Sequence, residues 1–112
     1  MIIRWPLAAE YRKITTRFGE ILKDAAGKPY SHVGIDISCP DRTPVYAAHA
    51  VVARYEWTEL GGNCIRLTDG DIVTRYVHLG SYTVDDGEQV QPGDELGRVG
   101  KTGSAWEGYH LH

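Results

Sequence analysis

The run Val51-Val52-Ala53-Arg54-Tyr55-Glu56-Trp57 is rich in β-branched and aromatic residues, which favour a pleated strand over a helix. Gly61-Gly62 then turns the chain, and Asn63 to Thr68 repeats the strand pattern. Asp69-Gly70 is a tight-hairpin dipeptide, and Ile72 to Val77 completes a third run. Strands joined by turns this short can only lie side by side and antiparallel.

The flanking segments follow the same habit. Downstream, Val84-Asp85-Asp86-Gly87 turns the chain into Gln89-Val90-Gln91-Pro92-Gly93-Asp94-Glu95-Leu96-Gly97, whose closely spaced turns suit short strands folding over one another. Upstream, Asp41-Arg42-Thr43-Pro44 is a turn leading into Val45-Tyr46-Ala47-Ala48. Before it, Ile35-Asp36-Ile37-Ser38 alternates apolar with polar and predicts a strand. Glu20 to Lys28 could supply one marginal helical turn, but Asp24-Ala25-Ala26-Gly27-Lys28-Pro29 has the composition of a surface loop. Trp5 to Gly19 predicts a short strand or an extended cover. No segment holds a 3.6-residue period over helix length, so the expected fold is all-β, an antiparallel sandwich or open barrel.

The 112 residues with 42% hydrophobic content suit one domain with its own core. No apolar run is long enough to span a membrane. The net charge of −3 and the lack of a Lys/Arg cluster argue against a nucleic-acid partner. Met1-Ile2-Ile3-Arg4-Trp5-Pro6 lacks the charged-then-apolar pattern of a secretory signal. Cys39 and Cys64 form no Cys-x-x-Cys motif; they could pair, but two buried thiols acting as small apolar residues is the simpler expectation.

Chemistry concentrates in the histidines. On a strand, residues i and i+2 share a face, so His110 and His112 present two imidazoles side by side. Imidazole is both the commonest zinc ligand and the commonest proton-transfer group near neutral pH. The upstream cluster His32-Val33-Gly34-Ile35-Asp36 adds another imidazole and a carboxylate, enough for a three-ligand zinc site with an open fourth position. Gly34 and the β-branched Ile35 and Ile37 speak against a helical i,i+4 pair. Residues four apart on an extended strand lie roughly 13 Å apart, so the chain must bend between His32 and Asp36, with Gly34 able to allow it. His78 falls where the third strand is expected to run out. His49, in Ala47-Ala48-His49-Ala50, reads as a solvated turn residue. Trp57, Tyr82 and Trp106 are candidates to line a groove, with ordinary packing the alternative for each.

Taken together, His32-Val33-Gly34-Ile35-Asp36, Tyr76-Val77-His78-Leu79 and His110-Leu111-His112 resemble the three signatures of the lysostaphin-type, or LytM-like, zinc endopeptidases. Thr43 to Ala47, Gly61 to Asn63 and Val90 to Gly97 are similar to that family's connecting motifs, and Ile14-Thr15-Thr16-Arg17-Phe18-Gly19 to its opening strand and Phe-Gly turn. The likeness runs from about Trp5 to His112. It implies an antiparallel β fold with a zinc ion in a groove, cleaving peptide stems or cross-bridges of bacterial peptidoglycan. His32, Asp36 and His112 match the family's zinc ligands, and His78 and His110 its two catalytic histidines.

The resemblance implies action at the cell wall, extracellular, periplasmic or phage-delivered, by a monomeric peptidase domain spanning 1–112. The bond cut, in an oligoglycine bridge or a D-alanyl cross-link, stays open. Members of the family that only bind cell wall or a partner lose zinc ligands, whereas all five site residues stand here. A biotinyl/lipoyl carrier, which Val90 to Gly97 also resembles, needs a lysine at a hairpin tip that is absent. Two departures stand out. Tyr109 occupies a position where the family often has proline. The sequence also stops at His112, where members continue with Phe-Glu and a last strand; the expectation is either a fragment or a His112 held less firmly than usual.

Overall fold

The computed structural model describes residues 3–24, 26–103 and 108–112; among them there are eleven strands and no helix. These are β1 (Ile14–Thr16), β2 (Ile21–Lys23), β3 (Pro29–Ser31), β4 (Asp36–Ser38), β5 (Pro44–Tyr46), β6 (Val51–Thr58), β7 (Gly62–Asp69), β8 (Ile72–Tyr82), β9 (Gln89–Val90), β10 (Glu95–Val99) and β11 (His110–Leu111). Every pairing is antiparallel. The main sheet runs β5-β10-β8-β7-β6-β9 and curls into an open half-barrel. A small sheet, β1-β4-β11, and the hairpin β2-β3 complete the fold.

The meander β6-β7-β8 forms where its alternation and turns predict. Ala53, Ile65, Leu67, Tyr76 and Leu79 point inward and meet Val45, Leu96 and Val99 from β5 and β10 in one hydrophobic cluster. Burying a large aliphatic side chain there contributes about 1.5–3 kcal/mol. The N-terminal segment covers the open edge of β5: Tyr46 donates to the Pro6 carbonyl (2.8 Å) and Arg4 to that of Ala48 (2.7 Å), with Leu7 buried beneath. Cys39 and Cys64 are both free and buried, and burial raises both thiol pKa values.

Two local expectations give way, and between the two readings of residues 20–28 the structure takes the loop. No helical turn forms there; β2 leads into the expected surface loop, which the Asp24 carboxylate builds by accepting the amides of Ala26 and Lys28 (2.9 Å each), and β3 closes the hairpin. His49 is not solvated: it is 0% exposed, its Nε2 bonded to Thr74 Oγ1 (2.8 Å) and its Nδ1 without a partner among the described residues. The small Ala47 and Ala48 beside it are buried too, and let that segment run inside. The third strand does not run out at Val77; β8 continues to Tyr82. Tyr82 packs flat on Tyr55 with ring centroids 3.8 Å apart and Trp57 is 66% exposed, while Trp106 lies outside the described residues.

Candidate metal centre

The small sheet positions the ligand-type residues. Ile37 (β4) and Leu111 (β11) are paired and buried in the core, so their neighbours turn the other way. That places Asp36 before Ile37, and His110 and His112 on either side of Leu111, toward one point. His110 Nε2 lies 3.4 Å and His112 Nδ1 2.8 Å from Asp36 Oδ1.

His32 reaches the same point from the end of β3. Its backbone is clamped by the Arg17–Glu20 turn, with Gly19 donating to its carbonyl (2.8 Å) and its own amide donating to the Glu20 carbonyl (2.9 Å). A carbonyl can only accept, so the His32 Nδ1 contact with the Arg17 carbonyl (3.1 Å) makes Nδ1 the protonated nitrogen. Nε2 is left facing His112 Nδ1 at 3.1 Å and Asp36 Oδ1 at 3.4 Å.

The bend between His32 and Asp36 is present, but Gly34 serves it differently from expectation. Its backbone is not in the left-handed region; instead, a Cβ there would lie 3.1 Å from the Cε1 and Nε2 of His112. Glycine leaves room for the His112 ring to lie over the chain, where a methyl would press it back by a few tenths of an ångström.

His32, Asp36 and His112 bring their ligand atoms within 4.8 Å of one another. Their three separations, 2.8–3.4 Å, compare with roughly 3.3 Å between donors on a tetrahedral zinc at about 2.0–2.1 Å. Burial opposes ionisation of Asp36, but the hydrogen bond with His112 and the facing imidazoles outweigh it and hold the carboxyl below its ordinary range. Once His112 gives up the Nδ1 proton it shares with Asp36, His32 Nε2, Asp36 Oδ1 and His112 Nδ1 make a two-nitrogen, one-carboxylate donor set that suits zinc.

His78 and His110 stand beside this trio, ring centroids 5.4 Å apart, with His78 6.2 Å from the His112 ring. His78 is brought here by a bulge. Asn63 pairs with Leu79 and Ile65 with Tyr76, so Cys64 alone faces both Val77 and His78. His78 takes φ 63°, a conformation that costs a non-glycine residue about 1–2 kcal/mol. In return its amide donates to Gly61 (2.9 Å), and its Nδ1 donates to the Thr102 carbonyl (2.8 Å). His110 Nδ1 likewise donates to the Gly108 carbonyl (2.7 Å). In a neutral ring this leaves Nε2 as the atom with the lone pair. Burial lowers the His78 pKa, an effect the Thr102 hydrogen bond only partly offsets.

The bulge also answers the expectation of a loose His112. The Val77 amide, released from the β7 ladder, donates to the His112 carbonyl at 2.9 Å. His112 is thus held at its backbone by β8 and at its ring by Asp36.

A profile of the sequences called peptidase family M23 matches residues 30–112. The chain belongs to peptidase family M23. This M23 chain is 32% identical to the peptidoglycan DD-endopeptidase ShyC of Vibrio cholerae over 98% of its own length and 25% of ShyC. It is also 32% identical to the DD-carboxypeptidase/endopeptidase Mpg of Neisseria meningitidis, over 91% of this chain and 24% of Mpg. The chain thus spans about a quarter of these relatives. Among solved structures, a zinc-containing peptidase from Vibrio cholerae superposes with a TM-score of 0.86 at 30% identity, covering 99% of this chain and 35% of that one. The catalytic domain of lysostaphin from Staphylococcus simulans gives a TM-score of 0.78 at 31% identity, covering 92% of this chain and 77% of that one.

Reading from sequence alone missed the Arg17 carbonyl, the steric role of Gly34 and Thr102. The first two act through backbone and through empty space, and Thr102 through its carbonyl and a hydroxyl whose partners lie on distant strands.

Proposed function

We propose that this M23 domain, residues 1–112, is a zinc-dependent endopeptidase that hydrolyses peptide cross-links of bacterial peptidoglycan at the cell wall. The observation that carries the reading is the convergence of His32 Nε2, Asp36 Oδ1 and His112 Nδ1 at zinc-ligand spacing, beside two imidazoles that each offer Nε2. Those three atoms would hold the ion. Zinc bound there supplies Lewis acidity, which brings the pKa of a water down to about 7 and polarises a carbonyl.

The chain's own groups do the rest. His110 Nε2 takes the water's proton, because its Nδ1 proton is committed to Gly108 and the ring cannot turn over without losing that bond. His78 is buried and neutral with Nε2 free, which suits it to accept the water's second O–H and aim the oxygen at the scissile carbonyl. A donor role toward the oxyanion would first require protonation, which burial opposes. For the bond, the names of ShyC and Mpg favour a linkage between D-configured residues of the cross-link over an oligoglycine bridge.

The test is digestion of purified cell walls, some cross-linked directly and some through oligoglycine, with zinc-loaded protein and with Asp36→Ala. Mass spectrometry of new termini should show cuts between D-residues with the parent only. No new termini in either wall type, or equal cutting by Asp36→Ala, overturns the proposal. Cuts confined to oligoglycine overturn the choice of bond.

A further inference from the structure

Thr102 lies outside the five expected site residues and 24 positions from His78, yet it touches that residue and both of its supporting strands. Its hydroxyl accepts from the Asn63 amide of β7 (3.0 Å) and donates to the Leu79 carbonyl of β8 (2.7 Å). One hydroxyl has one proton, and here it has only one place to go: a carbonyl cannot donate and an amide cannot accept. The side chain therefore bridges the two strands on the far side of the bulge that carries His78. Its own carbonyl, held in place by that bridge, accepts the His78 Nδ1 proton at 2.8 Å.

Glycines on both sides of the contact leave room for it. Gly62 has φ 70°, and a Cβ there would collide with Thr102 and the Gly103 amide; Gly103 has φ 89°, and a Cβ there would collide with Leu60, Gly61 and Gly62. The β6-β7 turn and the 102–103 backbone are thus interlocked without intervening side chains. The Thr102 hydroxyl is the polar pin through that junction. Without it, the Asn63 amide and the Leu79 carbonyl lose the hydrogen bond that ties them to residue 102.

We propose that Thr102 is a positioning residue for the hydrolytic reaction: by pinning its own carbonyl between β7 and β8 it fixes His78 as the Nδ1–H tautomer, with Nε2 turned to the site. This rests on the reading of His78 as a catalytic group, but its test does not. Nitrogen-15 correlation spectra of the imidazoles in the zinc-loaded protein report the tautomer directly, with His78 assigned by its loss in His78→Gln. The parent and Thr102→Ser should show a single Nδ1–H tautomer. Thr102→Val, which keeps the shape and loses the hydroxyl, should show a mixture of tautomers. Zinc affinity should stay within about twofold, while kcat falls about tenfold with KM little changed, as expected when a reacting group is misplaced rather than removed.

A His78 that keeps the Nδ1–H form in Thr102→Val overturns the proposal. So does an Nε2–H form in the parent, a result that needs no variant to fold. A tautomer shift in Thr102→Val together with no hydrolysis by any form of the protein would sustain the hold of Thr102 on the His78 tautomer and overturn the peptidase reading.

Discussion

The meander β6–β8 and the small sheet β1-β4-β11 are held together by different means. In the meander, strands of eight to eleven residues bury Ala53, Ile65, Leu67 and Leu79, and long ladders satisfy the backbone. In the small sheet, strands of two or three residues share a short ladder and the apolar pair Ile37 and Leu111. What closes that sheet is polar: Asp36 gathers His32, His110 and His112 from segments up to 80 positions apart. One region is stabilised by its own core, whereas the other brings together a cluster of groups that could hold an ion. The β8 bulge joins them, because it spends part of the meander's ladder to carry His78 and to hold the His112 carbonyl.

Substitutions should separate the two. The largest effect is expected at His110: His110→Ala should cut hydrolysis of cross-linked muropeptides by ~10²–10⁴-fold and leave zinc affinity nearly unchanged. Steady-state kinetics beside a zinc titration checks both, and loss of zinc in this variant would exchange the roles of His110 and His112. Next, Leu67→Ala should lower the unfolding free energy by about 2–5 kcal/mol in urea melts, since Leu67 is fully buried in the meander. A loss below 1 kcal/mol would mean that the meander is not where the stability resides. Smaller is Gly34→Ala. Its methyl would press on the His112 ring, so zinc should bind about tenfold more weakly, while the metal-free protein melts almost where the parent does. Unchanged zinc affinity would show that the ring has room to retreat.

Legibility in the sequence divides along the same line. Val51 to Val77 displays its strands because a core-facing sheet needs alternation and turn residues, and both are local. The histidine and aspartate motifs could be read because their chemistry is explicit in the side chains, and their spacing bore the family's signatures. What escaped was decided elsewhere in the fold. His49 looks like a turn residue until Thr74, 25 positions on, accepts it into the interior. The β2-β3 hairpin depends on one aspartate side chain capping its own loop. His78 sits in mid-strand with a left-handed backbone, which no local pattern of β-branched residues announces. Thr102 acts through a hydroxyl and a carbonyl and Gly34 through a missing methyl, and neither is visible until the partner segment is in place.

The central claim is that His32, Asp36 and His112 hold one zinc ion while His78 and His110 do not. Calorimetric titration of the metal-free protein with zinc, run beside His112→Ala and His110→Ala, tests it most directly. One equivalent is expected for the parent and for His110→Ala, and an affinity more than about 100-fold weaker for His112→Ala, since a ligand should cost more than a group that merely supports one. Clearly less than one equivalent in the parent, or full affinity in His112→Ala, would contradict it.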